Sequence, residues 1–462
     1  MENKLERKYG LFTAICMVVG IVIGSGVFFK AQAILQKTGG DMPLAIMAWL
    51  IGGAIMLACL ITFSFMSQKI ERVNGMVDYA EAMVGPSYGY YMGWFVGTIY
   101  FPSMTAALCW LTARYTLEFI VSVNPNFHML IPAAEGGCVF GPECLALTLF
   151  VMCGVYAMNV LSPKLAGKLQ TSTTVIKMIP LGLMAVVGIV YGLATGMLQT
   201  NMTTTAQVAD VSANPLFASV CATAFAYEGW IIATSINSEI KDSKKNLPKA
   251  LVIGGFIIIA TYIFYYIGVA GGVTNQELID KGATIAFTKI FGNVLGNVLN
   301  LFIAISCLGT ANGLMMGCSR CMYSIAARGE GPNPEMYGQV DKKTNMPGNS
   351  AVFALLVSAA WFLYFYLSNL AGTWSGPFVF DPTELPIITV YAMYIPIFVQ
   401  WMRKEKSEST VRRFVFPILA ITGSAFMVLA SVISHRFSCV WYLIVFAVIM
   451  AIGGAVNKAK NN

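Results

Sequence analysis

The sequence predicts an all-α membrane protein with twelve transmembrane helices, and three observations point to this class. Hydrophobic residues occupy 57% of the 462 positions and charged residues only 11%, whereas about 25% of a soluble domain is charged. The apolar runs are long enough for membrane helices, which need about 20 residues each. They also lack the short alternation of apolar and polar residues that is typical of a membrane β-barrel. The chain is therefore expected to lie in a lipid bilayer.

Twelve apolar segments follow one another along the chain. We predict spans at residues 10–35, 43–68, 88–121, 142–161, 172–196, 214–237, 248–271, 294–318, 350–369, 385–402, 412–434 and 438–455. No polar stretch between them is long enough for a soluble domain. Residues 1–462 are therefore predicted to form a single membrane domain.

The distribution of Lys and Arg predicts the orientation of the chain. One side of the membrane would carry both termini and most of the basic residues: Lys4, Arg7, Lys8, Lys69, Arg72, Lys164, Lys168, Lys241, Lys244, Lys245, Lys249, Arg320, Arg328, Lys342, Lys343, Arg403, Lys404, Lys406, Arg412, Arg413, Lys458 and Lys460. The other side would hold only Lys30, Lys37, Lys281, Lys289 and Arg436. The positive-inside rule then predicts two cytoplasmic termini in a cell membrane. The net charge of +7 reflects this topology, so no nucleic acid partner is expected.

The first predicted span contains an unusual concentration of small residues in its middle. Residues 20–26 read GIVIGSG, and each glycine inside a helix costs about 1 kcal/mol relative to alanine. Small residues on one face can let two helices approach closely. Alternatively, the helix is interrupted here and exposes backbone N–H and C=O groups to a ligand, which is tolerated only where protein or a cavity covers them.

The sixth predicted span favours the second interpretation. Residues 225–230 read FAYEGW, which places the ionisable Glu228 beside Gly229 in the middle of a span. Spans one and six are each the first of five, so they occupy matching positions in two halves of the chain. Paired interruptions of this kind indicate a substrate site at the membrane midplane, where half-helix ends bind charged groups. Freed N–H groups suit a carboxylate and freed carbonyls suit an ammonium, a combination that fits a zwitterionic amino acid.

Five motifs in order resemble the amino acid–polyamine–organocation superfamily. Within it, they resemble the L-type amino acid transporters and bacterial permeases of the serine/threonine exchanger type. The motifs are GIVIGSGVF at 20–28, the segment from Asn74 through Tyr79 and Gly85-Pro86 to Gly93-Trp94, FAYEGW at 225–230, SEIK with NLPKA at 238–250, and SCLGTANG at 306–313 followed by Ser319-Arg320 and Ala327-Arg328. The resemblance covers almost the whole chain. It implies a LeuT-like inverted repeat of five plus five helices, at about 10–196 and 214–402, followed by two extra helices at about 412–455.

The resemblance also assigns residues to the substrate. The carboxylate is expected at the backbone amides and hydroxyl of Gly24, Ser25 and Gly26. The ammonium is expected at the carbonyls of Val22, Phe225 and Glu228, with Tyr227 in the same site. Phe225 matches a gating aromatic residue of the family, although plain packing is the alternative. The Ser25 hydroxyl could instead bond a carbonyl of its own helix.

Lys177 is a single charged residue in predicted span five. Such a charge in a membrane helix needs a partner or a function, because its insertion costs at least about 2.5 kcal/mol. The side chain could extend to the membrane surface. The resemblance favours another role, in which the ammonium replaces the sodium ion of sodium-driven relatives and connects span one to Ser306 or Thr310 of span eight. Sodium would then not be required.

Two acidic residues leave several functions open. Glu228 could bind a cationic substrate side chain, could carry a proton, or could form a structural ion pair with Lys177. The resemblance implies that Glu239, with Lys241 and the other basic residues after span six, forms a gate on the inner side of the pathway, and a solvated loop is the alternative.

Other polar residues lead to simpler expectations. Arg114 and Glu118 are four residues apart and predict an ion pair on one helix face. The histidines His128 and His435 are predicted in outer loops, too far from the midplane for a proton relay. The cysteines Cys138 and Cys144 are also placed at the outer side, and the sequence leaves their pairing open.

Other classes of protein are less well supported by the sequence. A membrane enzyme would need a cluster of acids, histidines or metal ligands, a channel would show rings of pore-lining charge, and an ATP-driven pump would need a phosphate-binding loop. We therefore expect no cofactor, metal or nucleotide and no enzymatic activity. The expected function is sodium-independent exchange of small neutral amino acids such as serine, threonine and alanine by a monomer. Proton-coupled transport, or transport of cationic amino acids or amines, is the alternative.

Overall fold

The computed structural model describes residues 6–71, 74–124, 126–127, 141–208, 214–371, 374 and 376–461. In these ranges the chain is helical, and the one β feature described is an isolated parallel bridge between Tyr9 and Ile240. The predicted all-α class is confirmed.

Eleven helices in the described part of the chain are long and apolar enough to cross a membrane. They form spans 2 to 12: Met42–Lys69, Pro86–Val123, Pro142–Leu161, Pro163–Thr195, Pro215–Glu239, Ser243–Gly272, Thr284–Ala326, Gly348–Leu370, Leu385–Lys404, Val411–His435 and Phe437–Asn457. Span 1 consists of two half-helices, Leu11–Val22 and Gly26–Lys37. Counted as one crossing, they complete the twelve that the sequence predicts. Four shorter helices lie between the spans, at Gly75–Met83, Met197–Thr203, Asn275–Lys281 and Pro334–Tyr337.

The ends of these helices follow from local chemistry. Spans 3, 4, 5 and 6 begin at Pro86, Pro142, Pro163 and Pro215, where proline lacks an N–H that would have no partner in the first turn. Span 2 is capped instead by Asp41, whose Oδ1 accepts a 2.8 Å hydrogen bond from the N–H of Leu44. These spans therefore start where proline removes an N–H group that would be unpaired or where a side chain caps one.

Spans 5 and 8 are longer than the sequence predicts. Span 5 begins at Pro163, so Lys164 and Lys168 lie on its first turns rather than in a loop. Span 8 runs from Thr284 to Ala326 and contains one irregular residue, Gly292, at φ 83°. The apolar pattern marks the part of a helix inside the bilayer, and the hydrogen-bonded helix continues beyond it into polar sequence.

Spans 1 and 6 are both interrupted, as the glycine-containing segments predict. The first half-helix of span 1 ends at Ile23, whose ψ of 85° leaves the helical region. In span 6, the α-helix Pro215–Tyr227 is followed by Glu228 and Gly229, and a 3₁₀ helix then runs from Trp230 to Glu239. Gly229 adopts φ 104°, a backbone conformation that favours glycine. Close packing also contributes in span 1, because a Cβ on Gly24 would lie 3.2 Å from Oγ1 of Thr310.

The two interruptions lie at the centre of the bundle. The first half-helix of span 1 packs against spans 5, 7 and 8 and against the 3₁₀ segment of span 6. The second half-helix packs against the first half of span 6. Spans 3 and 8 pack together along another side. One continuous apolar core joins residues from most of the spans and holds the unwound segments in place.

Three of the simpler expectations can be compared with the structure. The pair between Arg114 and Glu118 is confirmed, with Nε and Oε1 2.8 Å apart. The loop placement of His435 is wrong, because His435 is the last residue of a membrane helix. Cys144 lies buried in the first turn of span 4, whereas Cys138 and His128 lie outside the described residues.

Candidate substrate site between two interrupted helices

A small cavity lies where the unwound segments of spans 1 and 6 meet. Its volume is about 20 Å³, which is room for about one water molecule. The lining residues come from both interruptions and from spans 3 and 8: Ile21, Val22, Gly24, Ser25, Gly26, Met104, Leu108, Phe225, Glu228, Gly229, Thr310 and Leu314. The structure thus brings together most of the residues that the sequence predicts for the substrate.

Lys177 is buried and connects the interruption of span 1 to span 8. Its Nζ donates to the carbonyl oxygens of Gly20 at 2.7 Å and Ile23 at 2.6 Å. It also lies 3.1 Å from the carbonyl oxygen of Ser306 and 3.5 Å from Oγ1 of Thr310. The ammonium of Lys177 therefore bonds carbonyls on both sides of the contact between span 1 and span 8. The alternative of a side chain that extends to the membrane surface is wrong.

Ser306 and Thr310 bind the same unwound segment through their hydroxyls. Oγ of Ser306 lies 3.2 Å from the carbonyl oxygens of both Ile23 and Gly24. Oγ1 of Thr310 lies 3.2 Å from the carbonyl oxygen of Gly20. Together with Lys177, these donors satisfy carbonyls that the end of a helix leaves without an intrahelical partner.

The carbonyl of Val22 differs from its predicted role as an ammonium ligand. Its oxygen already lies 2.9 Å from the hydroxyl of Tyr262 and 2.8 Å from the N–H of Gly24. A carbonyl oxygen has two lone pairs, so both positions are occupied in this conformation. The Tyr262 hydroxyl also lies 2.8 Å from the carbonyl oxygen of Ala226 and therefore connects the two interruptions.

Glu228 is buried in the unwound part of span 6 and contacts a tyrosine rather than Lys177. Its Oε1 accepts a 2.7 Å hydrogen bond from the hydroxyl of Tyr100. Lys177 bonds to span 1 and span 8 instead, so the proposed structural ion pair between Glu228 and Lys177 is wrong. The two remaining roles of Glu228, binding a cationic group and carrying a proton, stay open.

The segment from Gly24 to Gly26 presents backbone and hydroxyl groups to the cavity. The second half-helix begins at Gly26, and the N–H groups of a first helical turn lack intrahelical partners. Ser25 is fully buried, and its Oγ has no hydrogen-bond partner among the described residues. The predicted alternative, a bond from Ser25 to its own helix, is therefore not made. Gly26 packs tightly, because a Cβ there would lie 2.9 Å from Cα of Ala226.

The two aromatic residues predicted for the site have different surroundings. Tyr227 does not line the cavity. Its hydroxyl donates to the carbonyl oxygen of Trp49 at 2.9 Å, so it packs against span 2 instead of facing a substrate. Phe225 lines the small cavity and also a larger vestibule above it, and it therefore separates the two.

The vestibule has a volume of about 670 Å³. Polar and charged residues line much of it, among them Lys30, Arg114, Glu118, Lys281 and Asp381. Nζ of Lys30 lies 5.5 Å from the centre of the Phe225 ring, within the range of a cation–π contact. Lys30 also pairs with Glu384, whose Oε2 lies 3.1 Å from Nε2 of His435. These contacts join both interrupted spans to spans 10 and 11.

A buried ion network surrounds Glu239. Glu239 pairs with Arg320 through both carboxylate oxygens, and Nζ of Lys8 lies 3.1 Å from Oε2. The side chains of Glu239 and Arg320 are at most 1% exposed, which excludes the solvated loop as a description of Glu239. The N–H groups of Lys8 and Tyr9 also donate to the carbonyl of Glu239, so the N-terminal segment is part of this network.

Tyr100 and Tyr262 are site residues that the sequence analysis missed. Both are fully buried tyrosines in long apolar spans, where their hydroxyls bond groups at the interruption of a different helix. The available signal was weak. A tyrosine in the middle of a membrane span needs a hydrogen-bond partner, but nothing in the spacing indicates which partner it finds.

An unwound pair of helices around a midplane cavity is the architecture of a secondary membrane transporter. The comparison with protein families gives the particular family. Residues 9–455 match the family model described as amino acid permease, and the chain belongs to this family. Its members and relatives are transporters, as the absence of enzyme motifs led us to expect.

The chain resembles several characterised proteins over almost its full length. It is 28% identical to the serine/threonine exchanger SteT of Bacillus subtilis, covering 95% of this chain and 94% of that protein. It is 24% identical to the mouse large neutral amino acids transporter small subunit 2, covering 94% and 78% of the two chains. It is 25% identical to the mouse b(0,+)-type amino acid transporter 1, covering 94% and 84%.

A solved structure shares the fold. The crystal structure of MhsT in complex with L-phenylalanine aligns with a TM-score of 0.58 at 13% identity, over 96% of this chain and 99% of that one. This agreement supports the predicted five-plus-five arrangement of helices with two interrupted members.

Proposed function

We propose that this protein exchanges small neutral amino acids, such as serine, threonine and alanine, across a cell membrane without sodium. The observation that carries the proposal is the cavity between the two interruptions, where the first turn after Ser25 offers N–H groups and the end of the helix Pro215–Tyr227 offers carbonyl oxygens. This pairing suits a molecule that has a carboxylate and an ammonium on neighbouring atoms. The similarity to a protein named serine/threonine exchanger supports small substrates.

The volume of the cavity supports a small substrate that enters after a local rearrangement. About 20 Å³ holds one water molecule and not an amino acid. Phe225 separates this space from the vestibule, so a rotation of its side chain would join the two. A short side chain requires the smallest expansion among the apolar residues Met104, Leu108 and Leu314.

The closed and open sides support alternating access. With cytoplasmic termini, the buried network of Lys8, Glu239 and Arg320 closes the cytoplasmic side, and the vestibule faces outward. During transport the protein would alternate between this outward-open state and an inward-open state. Spans 1, 2, 6 and 7 would rock against spans 3, 4, 8 and 9 to make this change. The continuous apolar core supports one membrane domain.

Lys177 supports independence from sodium. Its ammonium contacts the carbonyl oxygens of Gly20, Ile23 and Ser306. These oxygens are therefore already bound by a positive charge and do not require a sodium ion. A tethered cation cannot supply the energy of a sodium gradient, so exchange is favoured over sodium-driven symport.

Transport of cationic amino acids is the second candidate, because Glu228 is a buried carboxylate with no cationic side chain bonded to it among the described residues. The similarity to the b(0,+)-type transporter supports this alternative to a lesser degree.

Counterflow in proteoliposomes tests these proposals. Purified protein would be reconstituted, the vesicles loaded with unlabelled serine, and uptake of labelled amino acids followed with and without sodium and a proton gradient. We expect uptake of serine, threonine and alanine only into loaded vesicles, unchanged by either ion. Uptake into empty vesicles driven by a proton gradient would contradict exchange, and uptake confined to lysine or arginine would establish the second candidate.

A further inference from the structure

Tyr100 bridges the scaffold of the transporter to the unwound part of span 6. Its hydroxyl donates to Oε1 of Glu228 at 2.7 Å, and its side chain is fully buried. Tyr100 ends a π-helical turn, Val96–Tyr100, within span 3. Such turns inside α-helices are frequent at functional sites. The contact fixes the Glu228 carboxylate from outside the helix that carries it.

The second oxygen of Glu228 is buried and has no hydrogen-bond partner among the described residues. The hydroxyl of Tyr391 and the N–H of Gly229 face the same carboxylate, but neither reaches Oε2 with hydrogen-bond geometry. Glu228 and Ser25, whose Oγ is also buried and unpaired, line the same cavity. Buried acceptors are almost always paired in native structures, so these two are expected to find their partner in a ligand.

The rest of the cavity limits what that ligand can be. Met104, Leu108 and Leu314 provide apolar walls, and the small volume favours a substrate with a short side chain, which requires the least expansion of the cavity. Glu228, with its unpaired Oε2, lines the same space. A hydroxyl or a small ammonium satisfies the acceptor, whereas a methyl group leaves it unpaired.

We propose that Tyr100 is a positioning residue for substrate selection: by engaging Oε1 of Glu228, it leaves Oε2 as the acceptor for a donor on the substrate's β carbon. This inference rests on the proposed transport of amino acids and names its substrate class more closely. The preferred substrates are short α-amino acids with a β-hydroxyl or β-ammonium, and alanine is a poorer substrate because its side chain brings no donor.

Three variants measured with three substrates test the inference. Wild type, Tyr100→Phe and Tyr90→Phe would be compared in counterflow of L-serine, L-alanine and L-2,3-diaminopropionate. Phenylalanine fills the space of Tyr100 and removes only its hydroxyl. In the wild type we expect a KM for serine at least about tenfold below that for alanine, since a site built to hydrogen-bond a group rejects the analogue without it. In Tyr100→Phe we expect the KM for serine and diaminopropionate to rise about five- to tenfold, with kcat and the KM for alanine within about twofold.

Tyr90→Phe is the matched control, because Tyr90 is a buried tyrosine of the same span whose hydroxyl donates to the carbonyl of Gly453 at 2.7 Å, far from the cavity. It should leave the ratio of KM values for serine and alanine unchanged. The ratio is insensitive to the amount of folded protein in each preparation.

Two results would overturn the inference alone: a wild type that does not prefer serine to alanine, or a Tyr100→Phe variant in which the KM for both changes by the same factor. The latter would show that Tyr100 acts only in packing. Absence of counterflow for every amino acid would instead overturn the proposed function and this inference with it. Glu228→Gln adds a charge test, in which diaminopropionate should lose its advantage over serine because glutamine keeps an acceptor and loses the negative charge.

Discussion

Nζ of Lys177 donates a 2.6 Å hydrogen bond to the carbonyl oxygen of Ile23, the residue at which span 1 leaves the helical conformation. A side chain of span 5 thus stabilises the unwound backbone of span 1 from outside. The glycines of residues 20–26 allow the helix of span 1 to be interrupted, and the hydrogen bond from Lys177 fixes the conformation of the interrupted backbone.

Replacement of Lys177 by methionine should therefore reduce transport at least about tenfold. The change leaves the carbonyls of Gly20 and Ile23 with weaker contacts from Thr310 and Ser306 alone, and each underbonded buried group costs about 1–3 kcal/mol. Lys168→Met is the matched control, since Lys168 is an exposed residue of the same helix. Counterflow of serine measures the effect. Wild-type rates in Lys177→Met would contradict the role of the ammonium.

Gly26→Val should abolish substrate binding without preventing insertion into the membrane. Even a Cβ would lie 2.9 Å from Cα of Ala226 and 3.3 Å from Cδ1 of Phe225, so the two interruptions would be forced apart. Gly154→Val tests the general cost of valine for glycine, because a Cβ on Gly154 meets no atom within 4 Å. Equilibrium binding of labelled serine in detergent gives the result. Normal affinity in Gly26→Val would rule out the proposed carboxylate site.

Glu239→Gln should open the closed side of the transporter. The substitution leaves Arg320 buried without its carboxylate, and breaking such a pair costs about 3–5 kcal/mol. Cys318 and Cys321 lie buried on the same helix as Arg320, so a membrane-permeant maleimide should label them faster in the variant. Glu335→Gln removes an exposed acid and should not change the labelling. Unchanged protection in Glu239→Gln would show that the network does not close this side.

The contact between Lys30 and Glu384 should persist in mild acid. Burial acts to raise the pKa of the Glu384 carboxyl, but Lys30, His435 and Lys37 together hold this pKa well below its ordinary value. A carboxyl with a lowered pKa stabilises the folded state above its ordinary pKa of about 4.5 and loses this contribution only as the pH falls towards the lowered value. Glu384→Gln should cost about 3 kcal/mol, the low end for a buried pair, and the loss should be nearly the same at pH 5 as at pH 7. Thermal unfolding in detergent at the two pH values measures it, and a difference that disappears at pH 5 would refute the assignment.

The sequence predicts the interruptions better than the contacts around them. Glycine and serine in residues 20–26 and the glutamate–glycine pair at 228–229 are local signals, and the chain breaks at both places. Lys177 was also recognisable, because a lone charge in a membrane helix demands partners. The bonds of Tyr100 and Tyr262 could not be predicted, since they depend on which spans pack together. The same packing occupies the Val22 carbonyl and separates Glu228 from Lys177.

The covalent attachment of the Lys177 ammonium has an electrical consequence. A sodium ion at this position would be released on one side of the membrane with every cycle and would carry charge with it. A cation fixed to span 5 remains with the protein, so swapping one zwitterion for another should generate no current. For the proposed exchange, the membrane voltage should then have no effect on the cycle, and the concentrations of the two amino acids alone should set the direction of net transport.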